Sequence, residues 1–140
     1  MARKIKVALD TNIFISAILF GGNPRTCLDL SRNKEIKLIT SRAILLEVAE
    51  KLKEKFEWES FEVADVIEGI GKFVEIVEPS ERIHLISQDP SDNRILEAAL
   101  EGKVDYIISG DKKHILSLRK FEGIEIVSAQ EFLNIYYKKN

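Results

Sequence analysis

Apolar residues in this chain come either in short unbroken runs or in stripes spaced three and four apart, and the two kinds alternate. Lys4 to Leu9 reads as a short, mostly buried strand. Asp10-Thr11-Asn12 stops it and supplies helix-capping residues, so Ile13 to Leu19 is predicted as a short helix closed by Gly21-Gly22. A second helix begins at Asn23-Pro24, with proline at its first position, and runs to about Asn33. Ile36 to Thr40 is a second strand. Ser41 caps a long helix from Arg42 to about Phe56, with Leu45, Ala49, Leu52 and Phe56 on one stripe.

Phe61 to Gly71 reads as another helix and Phe73 to Val77 as a third strand. Pro79 to Ser87 reads as a loop with an extended piece at Ile83 to Ile86. Asp89-Pro90-Ser91 opens a helix that reaches Glu101 and stops at Gly102. A fourth strand, Tyr106 to Ser109, a short helix, Asp111 to Leu118, and a fifth strand, Ile124 to Val127, follow. Ser128 caps a last helix, Ala129 to about Tyr137.

Apolar strands alternating with amphipathic helices imply a parallel sheet of about five strands covered on both faces, an α/β/α sandwich. With 140 residues and no internal repeat or linker, the chain reads as a single domain, 1–140. Right-handed crossovers put every strand's carboxyl end on one edge of such a sheet, where ligands bind at the reversal of strand order.

Composition narrows the chemistry. No apolar run approaches a membrane span, and the amino terminus is too short and interrupted for a signal peptide, so a cytoplasmic protein with no membrane partner is expected. A single cysteine, Cys27, excludes an internal disulfide and a cysteine zinc cage. His84 and His114 stand far apart, which argues against a histidine-rich metal site. A bound metal would need oxygen ligands, which favours Mg²⁺ or Mn²⁺. The net charge of −2 neither announces nor excludes a nucleic-acid partner.

The placement of the acids says more. Asp10 follows the first strand and Asp111 follows the fourth by two residues, so both belong at the carboxyl edge. Asp92 lies in the first turn of a helix running antiparallel to the strands, on a stripe with Ile95, Leu96 and Ala99, and so at the same edge. Each of the three could equally be a helix cap. Three carboxylates on one edge repel, however, and a divalent cation would relieve that repulsion. Glu47 lies almost opposite Leu45, Ala49 and Leu52 on the helical wheel, and periodicity alone leaves it solvated. Arg94, Lys112 and Lys113 stand close in sequence to these acids and are candidate phosphate contacts.

Val7-Ala8-Leu9-Asp10-Thr11-Asn12, Ser41 through Glu47, Asp89-Pro90-Ser91-Asp92-Asn93 and Ile107-Ile108-Ser109-Gly110-Asp111 together resemble the PIN-domain family, in order and in spacing, from about residue 5 to 130. The likeness is to single-domain prokaryotic members akin to VapC-type toxins. It implies a three-layer α/β/α sandwich and a metal-dependent ribonuclease with Asp10, Glu47, Asp92 and Asp111 as catalytic and metal-binding acids. Glu47 is adopted on this resemblance, against the wheel. Thr11, Asn12 and Ser109 would support the acids. The resemblance implies Mg²⁺ or Mn²⁺ as cofactor, cleavage of single-stranded or loop RNA to 5′-phosphate and 3′-hydroxyl ends, a toxin role with a cognate antitoxin, and room for a homodimer.

Rivals remain at this point. A haloacid-dehalogenase-like phosphatase needs a second aspartate where Asn12 stands, and a response-regulator receiver needs acids where Ala8 and Leu9 stand. A non-catalytic RNA-binding or scaffold module would keep the fold without turnover.

Overall fold

The structure is a computed structural model, and it describes residues 3–85, 92–110 and 115–139. Six strands and seven helices follow in the order β1 (Lys6–Leu9), α1 (Thr11–Leu19), α2 (Gly22–Arg32), β2 (Lys37–Ser41), α3 (Arg42–Glu54), α4 (Ser60–Gly71), β3 (Glu75–Val77), α5 (Asp92–Gly102), β4 (Tyr106–Ile108), α6 (Ile115–Leu118), β5 (Lys120–Phe121), β6 (Ile124–Val127) and α7 (Ala129–Lys139) among the described residues. They form a three-layer α/β/α sandwich.

The sheet order is β3-β2-β1-β4-β6-β5. β1 pairs in parallel with both β2 and β4, so Ala8 has Ile39 on one side and Ile107 on the other. From β1 the chain steps outward to β2 and β3, then crosses back to β4. With right-handed crossovers this reversal puts α1 to α4 on one face and α5 and α6 on the other. α5 packs on β1, β2 and β3, while α7 returns to pack against α2 and β4. The core follows from the strand pattern. Val7, Ala8, Ile39, Ile107 and Ile108 are wholly buried because both sheet faces are covered, which is why β1 and β4 are apolar at nearly every position.

Two predicted features change. The sheet has six strands, five of them parallel, and the sixth, β5, runs antiparallel to β6. A tight turn joins that pair at Glu122 and Gly123, both at positive φ (50° and 81°), the backbone a two-residue hairpin requires. The second change is in α3, whose buried face comprises Ile44, Leu45, Val48 and Leu52, while Phe56 lies beyond the helix end, exposed. Residues 83–85 form no strand. The capping segment Asp89-Pro90-Ser91 and the opening of the helix after β4 lie outside the described residues.

One close approach fixes the register of α5. A Cβ on Gly102 would stand 2.4 Å from Ile39 Cγ2, so this helix meets β2 through glycine's missing side chain. With its carboxyl end seated on β2, the antiparallel helix presents Asp92 at the carboxyl edge of the sheet.

Candidate active site at the carboxyl edge

The reversal of strand order falls between β1 and β4, and Asp10 and Ser109 stand just past the ends of those strands. Backbone hydrogen bonds continue the ladders past both strand ends. Asp10 N–H donates to the Ile108 carbonyl at 3.1 Å, and Ser109 N–H donates to the Val127 carbonyl at 2.9 Å. This extension holds both side chains in fixed positions. Asp10 is also the N-cap of α1, with extended backbone (φ −72°, ψ 168°), and its Oδ1 accepts the Ile13 N–H at 2.9 Å. The second carboxylate oxygen, Oδ2, accepts the Ser109 hydroxyl at 2.5 Å. Ser109 is fully buried and Asp10 is 6% exposed. The capping reading of Asp10 is therefore true as far as it goes. A cap engages one oxygen, yet this carboxylate also takes a buried hydroxyl from a strand 99 residues away in sequence.

Glu47 reaches this edge through a neighbour that the sequence reading did not single out. Lys51, one turn further along α3, donates from Nζ to Asn12 Oδ1 at 3.1 Å and stands 3.9 Å from Glu47 Oε1. Asn12 is in the first turn of α1, the helix that Asp10 caps. Glu47 and Lys51 are 23% and 28% exposed, so neither is a fully solvated surface charge. The wheel misled because its centre was drawn on Leu45, Ala49 and Leu52. Centring it on the observed face of Ile44, Leu45, Val48 and Leu52 moves it by roughly half a residue step, about 50°. Glu47 then lies on the flank of the helix, beside Ile44 and Lys51.

Asp92 is the first described residue of α5 and is half-buried; Asn93 beside it is buried. Thr11 is half-buried at the start of α1 and Asn12 is exposed. Arg94 points its guanidinium at neighbours in its own layer. One terminal nitrogen lies 2.9 Å from Glu97 Oε2 and donates to the Ile83 carbonyl at 3.3 Å. Glu97, buried at 5% exposure, also accepts the Ile83 N–H at 2.8 Å. Periodicity gave no warning of Glu97, because the segment through Ile83 covers a face of α5 that the sequence pattern leaves to solvent. Asp111, Lys112 and Lys113 lie outside the described residues.

The structure thus joins Asp10 to Ser109, links Asn12, Lys51 and Glu47, and sets Asp92 at the same edge. Among the described residues alone, no group of three or more His, Cys, Asp or Glu side chains is close enough to hold a metal ion. The donors at the edge are carboxylates and a hydroxyl, a hard-oxygen set whose chemistry fits Mg²⁺ or Mn²⁺. Cys27 is no competing nucleophile, since burial pushes its thiol up to about 12. No helix among the described residues is long and apolar enough to cross a membrane.

Comparison with known proteins agrees with this architecture. The family described as "PIN domain" matches residues 6–113. The uncharacterized protein MJ1680 of Methanocaldococcus jannaschii is 34% identical over 122 residues, covering 83% of this chain and 76% of the relative. Among solved structures, VapBC-1 from nontypeable Haemophilus influenzae superposes with a TM-score of 0.61 at 18% identity, covering 90% of this chain and 99% of that one. VapBC2 from Rickettsia felis, solved bound to a DNA fragment from their promoter, superposes with a TM-score of 0.58 at 15% identity, covering 87% and 97%. At these identities the structural likeness is one of fold.

Proposed function

Because the chain belongs to the PIN domain family, we propose that it is a Mg²⁺- or Mn²⁺-dependent endoribonuclease acting at the carboxyl edge of its sheet. The observation that carries this reading is Asp10, a buried carboxylate at the strand-order reversal, held at both oxygens by groups from separate parts of the chain. Asp10, Glu47, Asp92 and Asp111 are the proposed ligands. A divalent ion there would offset the phosphodiester's charge, acidify a water and support the departing oxygen.

The chain's own groups perform the remaining work. Ser109 and the Ile13 N–H fix the plane of the Asp10 carboxylate at the edge of the sheet. Thr11 and Asn12 would support the acids from the start of α1, and Glu47 would hold a second ion or orient the water. Attack of water on phosphorus with loss of the 3′ oxygen, which takes up a proton, yields the 5′-phosphate and 3′-hydroxyl ends. Lys112 and Lys113 are proposed phosphate contacts. Arg94 already serves Glu97 and Ile83, and would have to leave them to join in.

For a partner, the likeness to the VapBC structures supports a toxin role opposed by an antitoxin protein. A cavity of about 800 Å³ with an apolar floor that includes Leu28, Val66 and Ile70, and with Arg25, Arg32, Lys34 and Lys72 outnumbering Asp65 in its lining, offers a seat for an acidic, amphipathic segment. A second copy of the chain is the other partner proposed, and light scattering of the purified protein reads it directly.

The test is incubation with single-stranded RNA in Mg²⁺ or Mn²⁺, in excess chelator, and with Asp10→Asn. Cleavage that needs both the metal and the Asp10 carboxylate is expected. Equal cleavage in chelator or by the variant would overturn the reading. RNA binding without turnover in either metal would assign the chain to non-catalytic RNA recognition.

A further inference from the structure

Lys51 is out of place as a surface lysine. Among the cations of the other described ion pairs, Arg3, Arg32, Lys37, Arg82 and Arg119 keep 48% to 68% of their side chains in solvent, and Arg94, paired with the buried Glu97, keeps 22%. Lys51 keeps 28%, although its closest partner is the neutral Asn12 carbonyl oxygen and its acidic partner Glu47 lies at 3.9 Å, the loose end of ion-pair range. Ordering a long lysine for a neutral amide gains little over water, while the immobilised stem loses rotamer freedom. The ammonium is better explained by the field it sits in. Its helix brings Glu47 beside it, and Asn12 ties it to the helix that Asp10 caps. It is a cation held beside one of the proposed metal-binding acids, Glu47, and bonded to the first turn of the helix that another, Asp10, caps.

On the metal-nuclease reading, we propose that Lys51 is the internal counter-cation of the acidic edge: it offsets the carboxylates' mutual repulsion before a divalent ion binds, and it turns to a phosphate oxygen of the RNA once the ion has taken Glu47. The loose contact to Glu47 suits a cation that must let go. A lysine also suits the role better than an arginine, since its three donors on a flexible stem reach new partners without a fixed fork. The exchange keeps the ammonium beside a negative oxygen in both states, first that of Glu47 and then that of a phosphodiester.

Two measurements test it, the first without RNA. In Mn²⁺ titrations followed by calorimetry and by melting temperature, Lys51→Met is expected to bind Mn²⁺ about threefold tighter or more, since a like charge beside the ion is gone. It should melt lower than the parent without metal and gain more from Mn²⁺. Lys51→Arg keeps the charge and should bind Mn²⁺ as the parent does, which separates charge from packing. In the second measurement, cleavage of a single-stranded RNA across a salt series, Lys51→Met should raise KM several-fold with little change in kcat. The salt dependence of KM should flatten by about one phosphate contact. An unchanged Mn²⁺ affinity or an unchanged salt dependence in Lys51→Met overturns the proposal. Asp10→Asn in the same Mn²⁺ titration tests the underlying reading separately: if it binds Mn²⁺ like the parent, the metal site is wrong whatever Lys51 does.

Discussion

Asp10 and Asp105 each sit one step from a central strand, at opposite edges of the sheet. Asp105 precedes β4 at the amino edge. Its Oδ2 accepts the Lys6 N–H at 2.9 Å, and the Arg3 guanidinium meets both its oxygens, at 2.5 and 3.2 Å, with 29% of the side chain in solvent. Asp10 follows β1 at the carboxyl edge, nearly buried, held by an N–H and a hydroxyl that carry no charge. One aspartate is neutralised by a full cation and staples two strands together. The other takes an N–H at one oxygen and a hydroxyl at the other, neutral donors that orient a carboxylate. The difference comes from topology: at the carboxyl edge of a parallel sheet the chain turns into helix amino ends, whose N–H groups favour anions.

Paired substitutions give the strongest test of this contrast. Asp10→Asn is expected to abolish RNA cleavage while the melting temperature stays close to the parent's or rises, because asparagine caps a helix as well as aspartate does. Asp105→Asn should leave cleavage intact and cost about 0.5–1 kcal/mol in denaturant unfolding, the scale of a partly exposed ion pair. The reverse pattern would make Asp105 the reactive group and Asp10 a structural one. A smaller activity effect is expected for Ser109→Ala, about tenfold or more in metal affinity or rate, as for groups that hold a metal-binding carboxylate in place.

Gly102→Ala sharpens the comparison from the scaffold side. The added methyl meets Ile39 at 2.4 Å and should cost about 1–3 kcal/mol by overpacking; Gly102→Ala with Ile39→Val should recover part of it. The smallest effect belongs to a cap at the same edge that is no site at all. Ser128 and Glu131 form a reciprocal capping box at the start of α7, with Ser128 N–H donating to Glu131 Oε1 at 2.8 Å and Glu131 N–H donating to Ser128 Oγ at 3.1 Å. The backbone hydrogen bond from Ser128 holds the Glu131 carboxyl below its usual range. Its contribution is therefore complete above the ordinary glutamate pKa and is lost as pH falls through the lowered folded value. Glu131→Gln should flatten the acid limb of the stability curve slightly and leave activity unchanged.

Much of this was legible in the residues, and the failures have specific causes. Asp10, Ser41 and Ser128 were readable as helix starts, since a polar cap between an apolar run and an apolar stripe leaves few alternatives. β5 was not readable: two residues give no periodicity, and its turn places a glutamate at positive φ where sequence rules look for asparagine or aspartate. Glu47 was recoverable only by resemblance, because a wheel centred about half a residue step off moves a flanking residue to the far side. Lys51 carried a usable signal, an acid four residues before a lysine on one helix, but that spacing is common on solvated faces and names no tertiary partner. Arg94 is the converse case, a cation whose sequence neighbours suggested phosphate and whose spatial neighbours in this structure are Glu97 and Ile83.

The shortness of the outer strands has a consequence for life at high concentration. β5 spans two residues and β3 three, so each flank of the sheet offers only a brief row of open backbone groups to another molecule, and Lys37 and Glu75 put charges beside the β3 flank. A foreign strand that added there would gain few hydrogen bonds and would meet ionised side chains, which guards the folded protein against growth into stacked aggregates.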